Sequence, residues 1–140
     1  MRKILLLSLI LSFLLLACGR SEASPTAAAD THAHEALPTV PASYAGKTNP
    51  LGPEAASAGA ELYNTYCSSC HGPKGLGDGP AASALNPRPH NLQELREQVG
   101  DDYLFWRISE GVEGTAMVAW KGVLSEEQIW QVIVFIHTLK

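Results

Sequence analysis

The hydrophobic pattern divides the chain into three stretches. Ile4 to Leu16 is an apolar run broken only by Ser8 and Ser12. Residues 19–50 are rich in Ala, Ser, Thr and Pro and hold little that could form a core. From Leu51 to Lys140 apolar residues return at helical spacing. Gly59, Leu62, Tyr63 and Tyr66 predict a first helix from Pro53 or Glu54 to Thr65, with proline in its first turn. Residues 71–80 contain four glycines and two prolines, which forbid regular structure. Ala81 to Leu85 suits one short helical turn, and the prolines of Asn86–His90 impose an extended segment. Asn91 caps a helix running to about Val99, and Asp101 caps another over Asp102 to Glu110 that Gly111 stops. Leu104, Phe105, Trp106 and Ile108 make that helix too apolar to be exposed all round. Val112 to Leu124 reads as loop. Ser125 with Gln128 forms a capping box for a last helix from Glu126 to about Leu139. Its buried face is Ile129, Val132, Ile133, Ile136 and Leu139, broadened by Val134 and Phe135. No strands are evident, and the expected class is all-α.

The first stretch reads as an address. Met1-Arg2-Lys3 is positive, and the apolar run after it has the length of a signal-peptide core, short for a membrane span. It ends Leu15-Leu16-Ala17-Cys18, which looks like a bacterial lipobox. Residues 1–17 are then a signal that is removed. Cys18 becomes the acylated first residue, and residues 18–50 form a flexible tether. An ordinary secretory signal with an incidental cysteine, or an uncleaved anchor, is the alternative, and each puts residues 51–140 outside the cytoplasm. His32 and His34 read as solvated tether residues rather than a metal site.

Charge narrows the partners. Without residues 1–17, which hold Arg2 and Lys3 and no acid, the balance is 8 basic against 14 acidic residues. That argues against nucleic-acid binding and suits a basic protein surface.

Cys67-Ser68-Ser69-Cys70-His71 carries the chemistry. Cys-x-x-Cys-His is the attachment pattern of a c-type haem. Two thiols on one tight turn can add to the two vinyl groups at one porphyrin edge, and the next residue places an imidazole under the iron. A thioredoxin-type dithiol needs strands around it, a zinc site needs a fourth nearby ligand, and a phosphate loop needs Gly-Lys-Ser/Thr; none is evident. The iron's sixth position can be filled by methionine or histidine. Met117, 46 residues after His71, is the only methionine besides Met1 and lies in a loop. His90 and His137 are its competitors. An iron without a sixth ligand would point instead to peroxidase-type chemistry.

The chain resembles the bacterial class I monohaem cytochromes c over about residues 47–140. The resemblance rests on Gly59-Ala-Glu-Leu-Tyr63, Cys67–Gly72, Gly77-Asp-Gly-Pro80, Leu85-Asn-Pro-Arg-Pro89, Gly114-Thr-Ala-Met117 and the segment from Ile129-Trp130 to Phe135-Ile136. It implies the small cytochrome c fold, with helices around one covalent haem c and the first and last helices crossed. Gly59, Tyr63 and Phe135 match that crossing. It also implies haem-environment roles for Pro87, Arg88, Trp106 and Trp120, with the Pro87 carbonyl orienting His71. Relatives often have Met-Pro where this chain has Met117-Val118, so the ligand loop lacks a stiffening proline.

Together these features predict a non-enzymatic, membrane-tethered electron carrier on the extracytoplasmic (periplasmic) face. Cys67 and Cys70 bind haem, His71 and Met117 ligate its iron, and Cys18 anchors it. Its partners are membrane redox proteins, with no nucleic acid or small-molecule substrate. The alternative is a fixed monohaem subunit of a quinol-oxidising assembly such as alternative complex III.

Overall fold

A computed structural model describes residues 37–140 of the chain. Pro38–Lys140 form one compact unit. Its α-helices are α1 (Ala56–Tyr66), α2 (Ser68–His71), α3 (Leu92–Leu95), α4 (Asp101–Glu110) and α5 (Glu126–Ile136). Two 3-10 turns, Pro53–Ala55 and Ala82–Ala84, precede α1 and α3. Among the described residues there is no strand, only an isolated bridge between Lys121 and Leu124. The class is all-α, as the periodicity predicts.

The fold is organised on the crossing of α1 with α5. A Cβ at Gly59 would stand 1.9 Å from the Gln131 carbonyl oxygen and 3.0 Å from Phe135 Cβ. Only a residue without a Cβ lets the backbones approach so closely. One turn later Tyr63, fully buried, meets the Phe135 ring at a centroid distance of 5.1 Å. Val132 and Ile133 are also fully buried, each contributing about 1.5–3 kcal/mol relative to exposure. Helix α4 closes the other side of α5, where Phe105 stacks on Trp130 at 4.1 Å.

The helix ends follow from capping. Ser125 and Gln128 make both bonds of the predicted capping box on α5. The Asn91 side chain accepts from Gln93 N–H and caps α3. Helix α4 starts one residue earlier than expected, with Gly100 as its extended cap and Asp101 and Asp102 in its first turn, where the helix dipole favours them. Two helices stop short of expectation. After Leu95 the bonds shift to the tighter three-residue pattern, Glu97 N to Glu94 O and Gln98 N to Leu95 O. Past Ile136, Arg96 Nη1 donates to the carbonyls of Ile136 and His137, and the last residues finish in a three-residue turn.

The expected tether boundary at residue 50 moves. Residues 41–51 lie across α4 and α5 as a strap. Tyr44 N–H and Ala45 N–H turn back onto the Pro41 carbonyl. The Gly46 N–H donates to Asp102 at 3.0 Å, and Asn49 Nδ2 donates to the Trp130 carbonyl at 3.0 Å. Polar single-atom contacts of this kind leave no apolar period, so the stretch reads as linker in the sequence.

Candidate haem-attachment site

Cys67 caps α2, so the motif occupies a single helical turn directly after α1. A four-residue helix leaves nearly all its carbonyls without partners. Here the loop that follows supplies them. Ala81 N–H donates to Ser69 O at 2.9 Å, Gly79 N–H to Cys70 O at 3.1 Å and Gly77 N–H to His71 O at 2.9 Å. The buried Tyr63 hydroxyl donates to Gly72 O at 2.8 Å. The glycine-rich loop therefore serves as a backbone cradle for the attachment turn, which explains its composition better than flexibility does.

Cys67 and Cys70 are free thiols. Burial, with Cys70 close by, pushes the Cys67 thiol up to about 12. A redox dithiol requires a lowered thiol pKa, so this environment disfavours thioredoxin-type chemistry. Among the described residues no three His, Cys, Asp or Glu side chains converge to hold a metal ion directly, which disfavours a zinc site. Burial also holds His71 below the usual imidazole range. Its Nδ1 lies 3.3 Å from the His90 carbonyl oxygen. That acceptor places the ring proton on Nδ1 and leaves the Nε2 lone pair available to a metal. The expected acceptor was the Pro87 carbonyl. The structure moves that role three residues on, to His90, and Pro87 is exposed in the extended segment.

The loop bearing Met117 is closed on itself. Val112 N–H donates to Met117 O at 2.9 Å, and Met117 N–H donates to Thr115 Oγ1 at 3.1 Å. Thr115 returns both its N–H and its hydroxyl to Val112 O. At the loop entrance Gly111 takes φ +71°, and a Cβ there would meet the Met117 carbonyl at 2.5 Å. Val118 is exposed. The loop's exit returns to α4 through Trp120 N–H to Ile108 O at 3.0 Å and Lys121 N–H to Ser109 O at 3.1 Å.

Trp120 links the two halves of the site. Its ring meets Tyr66 edge-on at 5.2 Å, so the residue before Cys67 touches the residue three after Met117. Trp106 is half-buried, with Tyr103 edge-on at 5.7 Å and the Arg107 guanidinium over its face at 3.9 Å. Arg88 is exposed. His137 is exposed at the end of α5, with Nε2 2.7 Å from Asp101 Oδ1, a pairing that occupies it away from the motif. Cys18, His32 and His34 lie outside the described residues.

Residues 54–136 match the family model described as "Cytochrome C oxidase, cbb3-type, subunit III", more than half of the chain. The chain belongs to this family of c-type cytochrome domains. No curated protein matches it. Among solved structures, the c-type cytochrome is similar to a chain of the Kuenenia stuttgartiensis reducing HAO-like protein complex, with 25% identity and a TM-score of 0.56. The match covers 64% of this chain and 46% of that one, so the cytochrome spans under half the length of the solved chain.

The family implies haem c, and the residues fit it. Two unpaired thiols share one turn, and the adjacent imidazole has its second nitrogen committed to a carbonyl. Cys67 and Cys70 would hold the porphyrin edge and His71 the iron. The His90 carbonyl, the Tyr63–Gly72 bond and the strap do not follow from the sequence pattern. Only the aromatic Tyr44, out of character in a linker, signalled the last of these.

Proposed function

We propose that the protein is a one-electron carrier with a single covalent haem c, ligated by His71 and Met117 and tethered by Cys18 to the extracytoplasmic face of a membrane. When bound, the haem supplies a one-electron iron couple. The chain's own residues set its environment. Cys67 and Cys70, both free thiols on one turn, would hold the haem at its vinyl edge. The His90 carbonyl fixes the His71 tautomer, and the Met117 thioether favours the ferrous state and raises the potential.

The observation that carries this reading is the pairing of a committed imidazole with a methionine loop joined to the attachment turn by Tyr66 and Trp120. Residues 38–50 belong to the compact unit of the domain. A second reading, a fixed subunit of a larger redox assembly such as alternative complex III, is favoured by the family's description as an oxidase subunit and by the solved neighbour's place in a complex.

Gentle solubilisation of membranes followed by size separation distinguishes the two. A free lipid-bearing monomer supports the carrier, and constant co-migration with integral subunits supports the fixed subunit. Cys18→Ser should release the haem protein into the soluble fraction; a membrane-bound Cys18→Ser protein would contradict the anchor.

A further inference from the structure

We propose that Tyr44, Glu110 and Lys121 form a clasp that holds shut the loop carrying Met117, making the strap before the helical domain a positioning element for that residue. Its bearing on iron ligation rests on the reading of Met117 as a ligand. Glu110 is the last residue of α4 and Lys121 follows Trp120, so the two residues bracket the loop. Their side chains meet across its mouth, Lys121 Nζ to Glu110 Oε1 at 3.2 Å. Both are exposed, and such a pair alone adds little stability.

The strap changes this. The Tyr44 hydroxyl donates to the same Glu110 Oε1. The Tyr44 ring tilts on Phe105 at 6.2 Å, and Phe105 is stacked on the buried Trp130. The Lys47 ammonium lies 5.3 Å from the Phe105 ring centroid and 3.5 Å from Glu126. A carboxylate bonded at once by a core-anchored phenol and by the ammonium on the far side of the loop is a fixed post, not a mobile surface acid.

The loop needs such a post. Val118 is 58% exposed, and a Cβ at Gly114 would meet nothing within 4 Å. The loop's outer part therefore packs little on the rest of the chain; the Val112, Thr115 and Met117 bonds close it internally, and the clasp adds to the backbone bonds that hold its ends.

The test is amide hydrogen exchange on the full-length, haem-loaded protein, comparing wild type with Tyr44→Phe and Glu110→Gln. The phenylalanine keeps the ring on Phe105 and removes only the hydroxyl. In Tyr44→Phe the Val112, Met117 and Lys121 amides should exchange roughly 3- to 10-fold faster, with the α1–α5 crossing unchanged. Glu110→Gln should move the same amides in the same direction. In both, the weak sulfur-to-iron band of the oxidised protein should lose intensity. Unchanged loop exchange, or equal acceleration throughout the domain, would overturn the clasp. Met117→Ala separates the two readings. If the sulfur-to-iron band survives that substitution, the ligand assignment is wrong, and the exchange comparison still decides the clasp.

Discussion

The two halves of the candidate site are built differently. The attachment turn, Cys67–His71, is a short helix whose late carbonyls are all taken up by a following loop and whose base is the buried Tyr63. The Met117 loop is closed by a few local bonds, exposes Val118, and leans on side chains of α4 and a strap from outside the helical core. A covalent attachment point and a proximal imidazole need permanence. A thioether ligand needs only to be presented, and how firmly it is held can tune a potential. On the proposed reading, the chain thus places its rigidity under the half that would hold the haem and leaves adjustment to the other.

The largest expected effect lies under the rigid half. Gly59→Val puts branched carbon where the Gln131 carbonyl already stands, so α1 and α5 must separate. Stability should fall by about 3 kcal/mol or more, on the order of 15 °C in Tm by calorimetry. A Tm within a few degrees of wild type would show that the crossing is not what supports the turn. Next comes Met117→Ala. It should leave haem attachment and the fold intact while lowering the reduction potential by on the order of 0.1 V, about 2.3 kcal/mol for one electron. An unchanged potential in spectroelectrochemical titration would contradict Met117 ligation.

Tyr63→Phe removes one buried hydroxyl and leaves the Gly72 carbonyl with the Gly75 amide alone. A loss of about 1–2 kcal/mol in denaturant unfolding is expected. If the loss is instead negligible, the cradle loop is self-supporting.

The smallest effect lies in the strap. The hydrogen bond to Glu110, aided by burial and the charges of Glu110 and Glu126, raises Tyr44 from 10.0 to about 12. A pKa raised by folding stabilises fully below the unfolded value and is lost above it. The Tm advantage of wild type over Tyr44→Phe should therefore hold from above the usual carboxylate range up to pH 10, shrink towards pH 12, and shrink again in acid as Glu110, held low by the same hydrogen bond, is protonated. An advantage independent of pH would mean the phenol does not serve the clasp.

How much of this was legible in the sequence depends on where the information sits. The attachment turn is consecutive letters, and the helices that support it follow from spacing and from caps such as Ser125 and Asn91. The Gly59–Tyr63–Phe135 crossing became legible through the resemblance to cytochromes c, and the geometry bears it out. The acceptor for His71 was misplaced because it is a backbone carbonyl, which any residue supplies; only the path of the Pro87–Pro89 segment selects His90. The strap was hidden for a related reason. It is held by Tyr44, Gly46, Lys47 and Asn49, which follow no apolar period, in a stretch whose composition is that of a linker.

Cys67, Cys70 and His71 are proposed to hold a haem that is covalently bound. Haem staining of the denatured protein, beside a Cys67→Ser/Cys70→Ser variant, tests it most directly. The wild-type band should stain after denaturation and the variant band should not. An unstained wild type, or a variant that keeps its haem through denaturation, would contradict the account.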